Sequence, residues 1–366
     1  MSESFKMSRD HPQLNEVLES GVSVEFPNRR CVPFSVQNEG RNPVVIFQVL
    51  TPDLYRTSSF KQQVKIWFRS VRAVSLTATL SPMLIVLLTG LILGLSPRAW
   101  VGGLAILAAL LLQVATNVLN DIEDYRRLID LPGGHGGSGV LQKAWLTVHQ
   151  LRRFAWICVA IALLAALPTF LLEWQWGIAI GALGLVGALG YSARPLGLKY
   201  FALGDLAVFF LCGPLIAFGA GLAYFSDLSF DFLMIGLVFG FLACAILHAN
   251  NLQDIDDDRA RGAITLAGLI GFGHSRTLLA AFYILAWSSL LVFIFRISRE
   301  PSLALLSFLP LGIALVLTFK LIKIVYQASG TSSPLLNFIR IRAAQLHLIY
   351  GVSLALSLVI YGGVER

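Results

Sequence analysis

Carboxylates and carboxamides gather at two places in the chain, each at the end of a long apolar stretch. The first run reads Asn117-Val118-Leu119-Asn120-Asp121-Ile122-Glu123-Asp124, with Asp130 shortly after. The second reads Asn250-Asn251-Leu252-Gln253-Asp254-Ile255-Asp256-Asp257-Asp258. Each holds four of the chain's 21 acidic residues, so acid is concentrated here rather than spread over a wet surface. Carboxylates crowded at membrane depth repel one another and lose solvation unless a cation neutralises them. An all-oxygen Asn/Asp set suits Mg²⁺, a hard ion that keeps several waters and shares phosphate oxygens with its substrate. The chemistry these residues point to is that of a diphosphate.

If each helix continues through its run, Asn117, Asp121 and Asp124 stand at i, i+4 and i+7 on one face, and Asn250, Asp254 and either Asp257 or Asp258 repeat the spacing. Two such faces turned to a common cavity hold two Mg²⁺ ions that clamp a diphosphate and stabilise it as a leaving group. Asp121, Asp124, Asp254 and Asp258 are the expected metal ligands, with Asn117, Asn120, Asp130, Asn250 and Asn251 beside them. The surplus negative charge calls for cations. Candidates are Arg126 and Arg127 past the first run, Arg259 and Arg261 past the second, and Lys143. A third polar loop, Tyr191 to Tyr200, offers Arg194 and Lys199 to phosphate oxygens and Tyr191 to a reacting intermediate. Each of these cations reads equally well as an anchor on the membrane surface, and an isolated acidic loop as a solvated one. His248, one turn before the second run, reads equally as a cavity residue or as hydrogen-bonded packing; His135 and His274 lack partners for a triad or a zinc site. No Ser-His-Asp arrangement, phosphate-cradling loop or dinucleotide fingerprint is present.

The elements that must position these residues are membrane helices. Of 366 residues 56% are hydrophobic and only 13% charged, with a mean hydropathy of +0.73, which is too apolar for an ordinary soluble protein. Nine segments are long enough to span a bilayer, at about 74–96, 98–119, 154–172, 176–193, 203–225, 231–250, 277–295, 302–325 and 343–362. One set of connections carries Lys61, Lys65, Arg69, Arg72, Arg126, Arg127, Lys143, Arg152, Arg153, Arg194, Lys199, Arg259, Arg261, Arg276, Lys320, Lys323, Arg340 and Arg342. The other set has Arg98, Arg296, Arg299 and Arg366. The excess of positive charge on one side places the N-terminus and both acidic runs in the cytoplasm. The net charge of +7 follows from that topology, and no nucleic-acid partner is expected. Cys31, Cys158, Cys212 and Cys244 have no metal-like spacing and read as buried packing residues.

Residues 1–70 differ from the membrane domain expected over 71–366. They are polar and lack the apolar core of a cleaved export signal. Val22 to Phe26 and Val44 to Val49 are candidate short strands, and Phe60 to Phe68 a helix lying along the headgroups. The expectation is a weakly folded cytoplasmic extension; a regulatory domain is the alternative.

Four separated motifs, in order, extend this reading. Asn117 to Asp130 follows Asn-x-x-Asn-Asp-x-x-Asp-x-x-x-Gly-x-Asp with Leu128 at the usual Gly, and Gly137-Ser138-Gly139-Val140-Leu141-Gln142-Lys143 follows as a glycine-rich loop. Tyr191 to Asp205 follows Tyr-x-x-x-Pro-x-x-Leu-Lys-Tyr-x-x-Leu-Gly-Asp/Glu. Asn250 to Leu266 follows Asn-Asn-x-x-Asp-x-x-x-Asp-x-x-x-Gly-Lys-x-Thr-Leu, with Ala263 at the usual Lys. From about residue 72 onward the chain thereby resembles the UbiA superfamily of intramembrane aromatic prenyltransferases, most of all the 1,4-dihydroxy-2-naphthoate polyprenyltransferases of menaquinone synthesis. The resemblance implies an all-α, nine-helix transmembrane bundle with a lateral opening to lipid and a cytoplasmic cap, in a bacterial inner membrane. It implies Mg²⁺-dependent transfer of a polyprenyl group from its diphosphate to an aromatic ring carbon, with the bilayer and those two substrates as partners. Protein partners are not indicated. Other acceptors (4-hydroxybenzoate, homogentisate, a tetrapyrrole alcohol) fit the same spacing. A catalytically inactive quinone-pathway scaffold and a cation channel or transporter are the readings from other classes.

Overall fold

The computed structural model describes residues 3–39, 42–55, 59–132, 137–298 and 306–364. His135 with Gly133, Gly134 and Gly136, as well as Arg299, Arg366 and the start of the expected span at 302–325, lie outside the described residues. The chain divides into two compact units, residues 1–73 with 114–160 and residues 74–113 with 161–366.

The first unit begins with a small sheet. Strands β1 (Ser4–Ser8), β2 (Arg30–Glu39) and β3 (Asn42–Leu50) pair antiparallel in the order β1-β3-β2, and α1 (Leu14–Ser20) lies between the first two in sequence. Cys31, Val45 and Phe47 are wholly buried, and burial pushes the Cys31 thiol up. The register slips between Pro33 and Ser35, where proline cannot donate to the ladder. The segment expected to be weakly folded is therefore a structured sheet, an addition to the all-α class. Val44 to Val49 is in a strand, but Val22 to Phe26 is not: Ser23 accepts from the Phe26 N–H in a tight turn, leaving Val24 exposed. After α2 (Pro52–Tyr55) comes α3 (Phe60–Val71), whose N-cap Ser59 accepts from the Gln62 N–H.

Helices dominate the rest. They are α4 (Thr77–Ile92), α5 (Ala99–Arg126), α6 (Val148–Leu172), α7 (Trp174–Gly190), α8 (Gly204–Cys212), α9 (Pro214–Phe225), α10 (Phe230–Gln253), α11 (Ile255–Ala260), α12 (Leu266–Ile297), α13 (Leu311–Gln327) and α14 (Ile339–Val364). Among the described residues 7 helical segments are long and apolar enough to cross a membrane, with α8 and α9 together forming one of them. The chain is an integral membrane protein. The segments expected at 176–193 and 302–325 correspond to α7 and α13, each 17 residues long.

In the second unit α10 packs against α4, α8, α9, α12 and α14. Phe232, Phe239 and Leu242 meet Leu290 and Phe293 of α12 and Tyr350 and Leu354 of α14 in one core. Small residues let backbones touch: a Cβ on Gly213, between α8 and α9, would stand 2.5 Å from the Gly236 carbonyl oxygen, and one on Gly240 would stand 2.8 Å from that of Phe209. Helix packing inside lipid relies on such close approach, because apolar burial alone drives little association there.

Candidate active site

Helix α5 runs unbroken through the first acidic run, as its spacing requires, and stops at Arg126. Its stop is a left-handed cap: Leu128 has φ 61°, its N–H donates to Tyr125 O at 3.1 Å, and the Ile129 N–H donates to Asp124 O at 2.9 Å. That conformation accounts for glycine at this place in the motif, and Leu128 accepts the strain while burying its side chain. Asn117, Asn120, Asp121, Asp124 and Asp130 are all buried. The Ser138 N–H donates to Asp121 Oδ2 at 2.9 Å, and the Arg72 guanidinium meets Asp121 Oδ1 at 3.2 Å.

The loop after the run lies close over these carboxylates. A Cβ built on Gly137 would be 2.6 Å from Asp130 Oδ2 and 3.3 Å from Asp121 Oδ1, so the two side chains converge on one point that only glycine leaves open. The loop is held from the N-terminal segment. Arg69 Nε donates to Ser138 O at 2.6 Å and the Arg30 guanidinium donates to the Ala144 carbonyl; on α5 itself, Asn117 donates to Val71 O at 3.3 Å.

Two of the cations expected here pair with the glutamate of the run. Arg126, the last residue of α5, and Arg127 just after it pair with Glu123 at 3.4 and 3.7 Å, Arg126 also with Glu19 at 3.4 Å. Lys143 sits 4.7 Å over the Trp145 ring. Asp121 itself meets Arg72, which sequence alone assigns to the positively charged set of connections; its spacing from Asp121 carries no signal.

The second run departs from its expected form. Helix α10 ends at Gln253, Asp254 takes φ −100° and ψ 10°, and α11 resumes. Helical bonds still bridge the break, Asp254 N–H to Asn250 O at 3.1 Å and Asp258 N–H to Asp254 O at 2.7 Å. Asn251 is buried and Asp254 and Asp258 half-buried, while Asp256 and Asp257 are exposed; Asp256 accepts from the Thr331 hydroxyl. Arg340 donates to Asn250 Oδ1 at 3.4 Å, a second cation that sequence leaves among the anchors. Arg259 points outward, to Gly268 O at 3.3 Å, and Arg261 is half-buried at the α11 C-cap.

The segments flanking the third loop and this run are tied together. The Ala202 N–H donates to Ile264 O at 3.2 Å, and buried Asp205, at the start of α8, meets His248 Nδ1 at 3.1 Å. His248 therefore fills the packing role. Lys199 is half-buried, 5.7 Å over the Tyr200 ring, with its N–H on Tyr191 O at 2.9 Å; Arg194 is exposed.

Among the described residues no three His, Cys, Asp or Glu side chains form a ready-made metal cage. The first run instead presents converging, buried carboxylate oxygens below a glycine backbone. That donor set fits Mg²⁺, which binds through one or two carboxylates and takes its other ligands from water and phosphate.

The model of the UbiA prenyltransferase family matches residues 79–339, a stretch that includes both runs and the loops between them. The chain belongs to this family. It is 31% identical over 151 residues to UbiA prenyltransferase domain-containing protein 1 of Dictyostelium discoideum, covering 40% of this chain and 42% of that protein. It is also 31% identical over 201 residues to 1,4-dihydroxy-2-naphthoate octaprenyltransferase of Mycobacterium tuberculosis, covering 54% and 67%. The match thus spans less than half of the first relative's length. Among solved structures, a UbiA homologue from Aeropyrum pernix K1 superposes with a TM-score of 0.59 at 14% identity, over 79% of this chain and 98% of that one. A UbiA homologue from Archaeoglobus fulgidus bound to DMAPP and Mg²⁺ gives 0.51 at 18% identity, over the same shares. These two share the fold of this UbiA family member.

Proposed function

We propose that this protein transfers a polyprenyl group from an allylic diphosphate to an aromatic ring, with 1,4-dihydroxy-2-naphthoate as acceptor. The observation that carries the reading is the convergence of buried Asp121 and Asp130 below Gly137, with Arg72 on Asp121. Support for the donor comes from the fold neighbour bound to DMAPP and Mg²⁺, and for the acceptor from the name of the Mycobacterium tuberculosis relative.

When bound, Mg²⁺ supplies the charge that makes the diphosphate a good leaving group. Asp121, Asp124, Asp254 and Asp258 would hold it, with Asn117, Asn120, Asn250 and Asn251 beside them for the substrate. Arg72 offers a planar fork matched to phosphate oxygens. Lys199 faces the diphosphate and Tyr191 the reacting carbon. The carbon–oxygen bond breaks with its electron pair on the diphosphate. The allylic cation is then attacked by the ring carbon bearing the carboxylate, and carbon dioxide leaves as that bond's pair restores the ring. Apolar spans sheathe the prenyl chain and keep water from the cation. Nine membrane crossings, a cytoplasmic N-terminal region over 1–70, a membrane domain over 71–366 and a bacterial inner membrane complete the proposal, with the loop charges supporting the orientation.

Purified full chain, given allylic diphosphates of several lengths and a panel of aromatic acceptors, tests it by product mass. The prenylated, decarboxylated naphthoate is expected, lost with EDTA and restored by Mg²⁺. Product from another acceptor alone would replace the naphthoate. No turnover with any pair would leave the scaffold reading, which Ala263 at the usual lysine favours.

A further inference from the structure

Helix α3 presents three different surfaces on three arcs. Phe60, Val64 and Phe68, at i, i+4 and i+8, form a stripe that is 81, 50 and 66% exposed. Lys61 and Lys65 stand next to it, each one residue on, and Ile66 and Ser70 form the buried arc. Exposed rings flanked by lysines make up a helix that lies in a bilayer interface, with the rings at the acyl boundary and the ammonium groups among phosphates. The chain itself supports that placement: the segment Ala73–Ile92, long and apolar enough to span a membrane, begins directly after the α3 cap at Arg72.

The last turn of this helix is bonded into the first acidic run. Arg69 holds Ser138 O, Arg72 holds Asp121, and Val71 O accepts from Asn117. One stretch of helix therefore joins an exposed apolar stripe to the carboxylate and to the loop above it.

We propose that α3 reads the negative charge of the bilayer surface and, through Arg69 and Arg72, sets the placement of Asp121 and the Ser138 loop. On an anionic surface the helix is seated and the loop is held; on neutral lipid both loosen. The activity arm of this inference rests on the prenyl-transfer reading, and the structural arm does not. Each lysine near an anionic surface contributes about fivefold to surface partition, so two together give an effect large enough to measure.

Full chain reconstituted in phosphatidylcholine vesicles, with and without phosphatidylglycerol, provides the test, following hydrogen exchange of α3 and of residues around Ser138 together with turnover. Several-fold slower exchange at both places and faster turnover are expected on anionic vesicles. Lys61→Gln/Lys65→Gln should remove both gains while turnover in neutral detergent stays unchanged. Phe60→Ser/Phe68→Ser should speed α3 exchange on either lipid. Exchange of α3 that ignores lipid charge overturns the inference. Protection of α3 that follows lipid charge while Ser138 stays unaffected overturns the link to the site. Absent turnover on every surface, with both exchange responses intact, counts against prenyl transfer and leaves the lipid reading supported.

Discussion

Aligned on their C-caps, the two acidic runs place Asp124 against Asp258 and Leu128 against Gly262. The second run repeats the cap bond for bond: Gly262 has φ 75°, its N–H donates to Arg259 O at 3.2 Å, and the Ala263 N–H donates to Asp258 O at 2.8 Å. Above the caps the runs diverge. Asp121 lies three residues before Asp124, whereas Asp254 lies four before Asp258, and the extra residue falls where the helix breaks. Surroundings differ as well. The first run is buried beneath a loop and held by Arg72, while the second carries two exposed aspartates and an outward Arg259. A matched spacing thus fixes how each run ends but not how its carboxylates are covered; covering depends on residues far away in sequence.

The largest expected effect separates the buried and half-buried aspartates, which are also the motif positions, from the exposed ones. Asp121→Ala and Asp124→Ala should each lower turnover on the order of a hundredfold or more, the scale of removing a preorganised charge from a site. Asp254→Ala and Asp258→Ala should do the same. Asp256→Ala and Asp257→Ala, exposed in the same run, should stay within about twofold, since exposed charges contribute little. Steady-state rates in detergent, with folding checked by thermal melting, decide the matter. A loss at Asp256 equal to that at Asp254 would dissolve the distinction.

Gly137 comes next. A methyl there would stand 2.6 Å from Asp130 Oδ2, and the backbone already sits at φ 63°, where L side chains are strained. Gly137→Ala should push the loop off the carboxylates and cut turnover at least tenfold. Gly262→Ala has the same positive φ but nothing within 4 Å. It should cost only the backbone strain, about 1 kcal/mol, visible as a lower melting temperature with near-normal turnover. Equal catalytic loss in the two variants would mean that the covering of the first run is not what matters.

These contrasts mark what sequence can and cannot carry. Apolar length located the seven described segments able to cross a membrane, while the helices at two further expected spans, α7 and α13, have 17 residues each; the acidic runs marked where α5 and α10 end. Val22, Val24 and Phe26 alternate as a strand would, yet a Ser23 turn satisfies the same pattern without a ladder. Strand β2 hides its period behind Pro33 and polar residues. Arg72 and Arg340 were legible only as positive charges beside spans, because a cation anchoring a helix and a cation serving a site look alike until the fold brings a partner to one of them. The break at Asp254 has no proline or glycine to announce it.

A smaller effect is expected at Ala263, where the second run lacks the lysine of the motif. The Arg259 side chain is outward, so Arg261, half-buried at the cap, is the residue positioned to make up the charge. Arg261→Ala should raise the KM for prenyl diphosphate several-fold, as loss of one charge-assisted bond does. Arg259→Ala should leave it unchanged, and Ala263→Lys should change it little. A marked fall in KM for Ala263→Lys, with Arg261→Ala silent, would show instead that the second run is one cation short.

The smallest effect lies at the charge cluster around Glu19, which Arg126 links to the end of the first run. Glu19 of α1 meets Arg152 at 2.9 Å and Arg126 at 3.4 Å, with His149 Nε2 at 3.9 Å. The Arg152 hydrogen bond, aided by the nearby charges, holds the Glu19 carboxyl below its ordinary value of 4.5. A carboxylate depressed in this way stabilises the folded state fully above its unfolded value, and the contribution is lost as pH falls through the folded one. Partly exposed pairs of this kind contribute at most about 1 kcal/mol, so turnover near neutral pH should barely change in Glu19→Gln. What should change is the acid side of the stability profile. The native protein should lose protection of α1 and the sheet as pH drops below about 4.5, whereas Glu19→Gln should begin from a lower plateau and show a shallower fall. Hydrogen exchange of Leu14–Ser20 against pH measures this directly. Parallel profiles for the two proteins would mean that Glu19 does not help to hold α1 against Arg126 and Arg152.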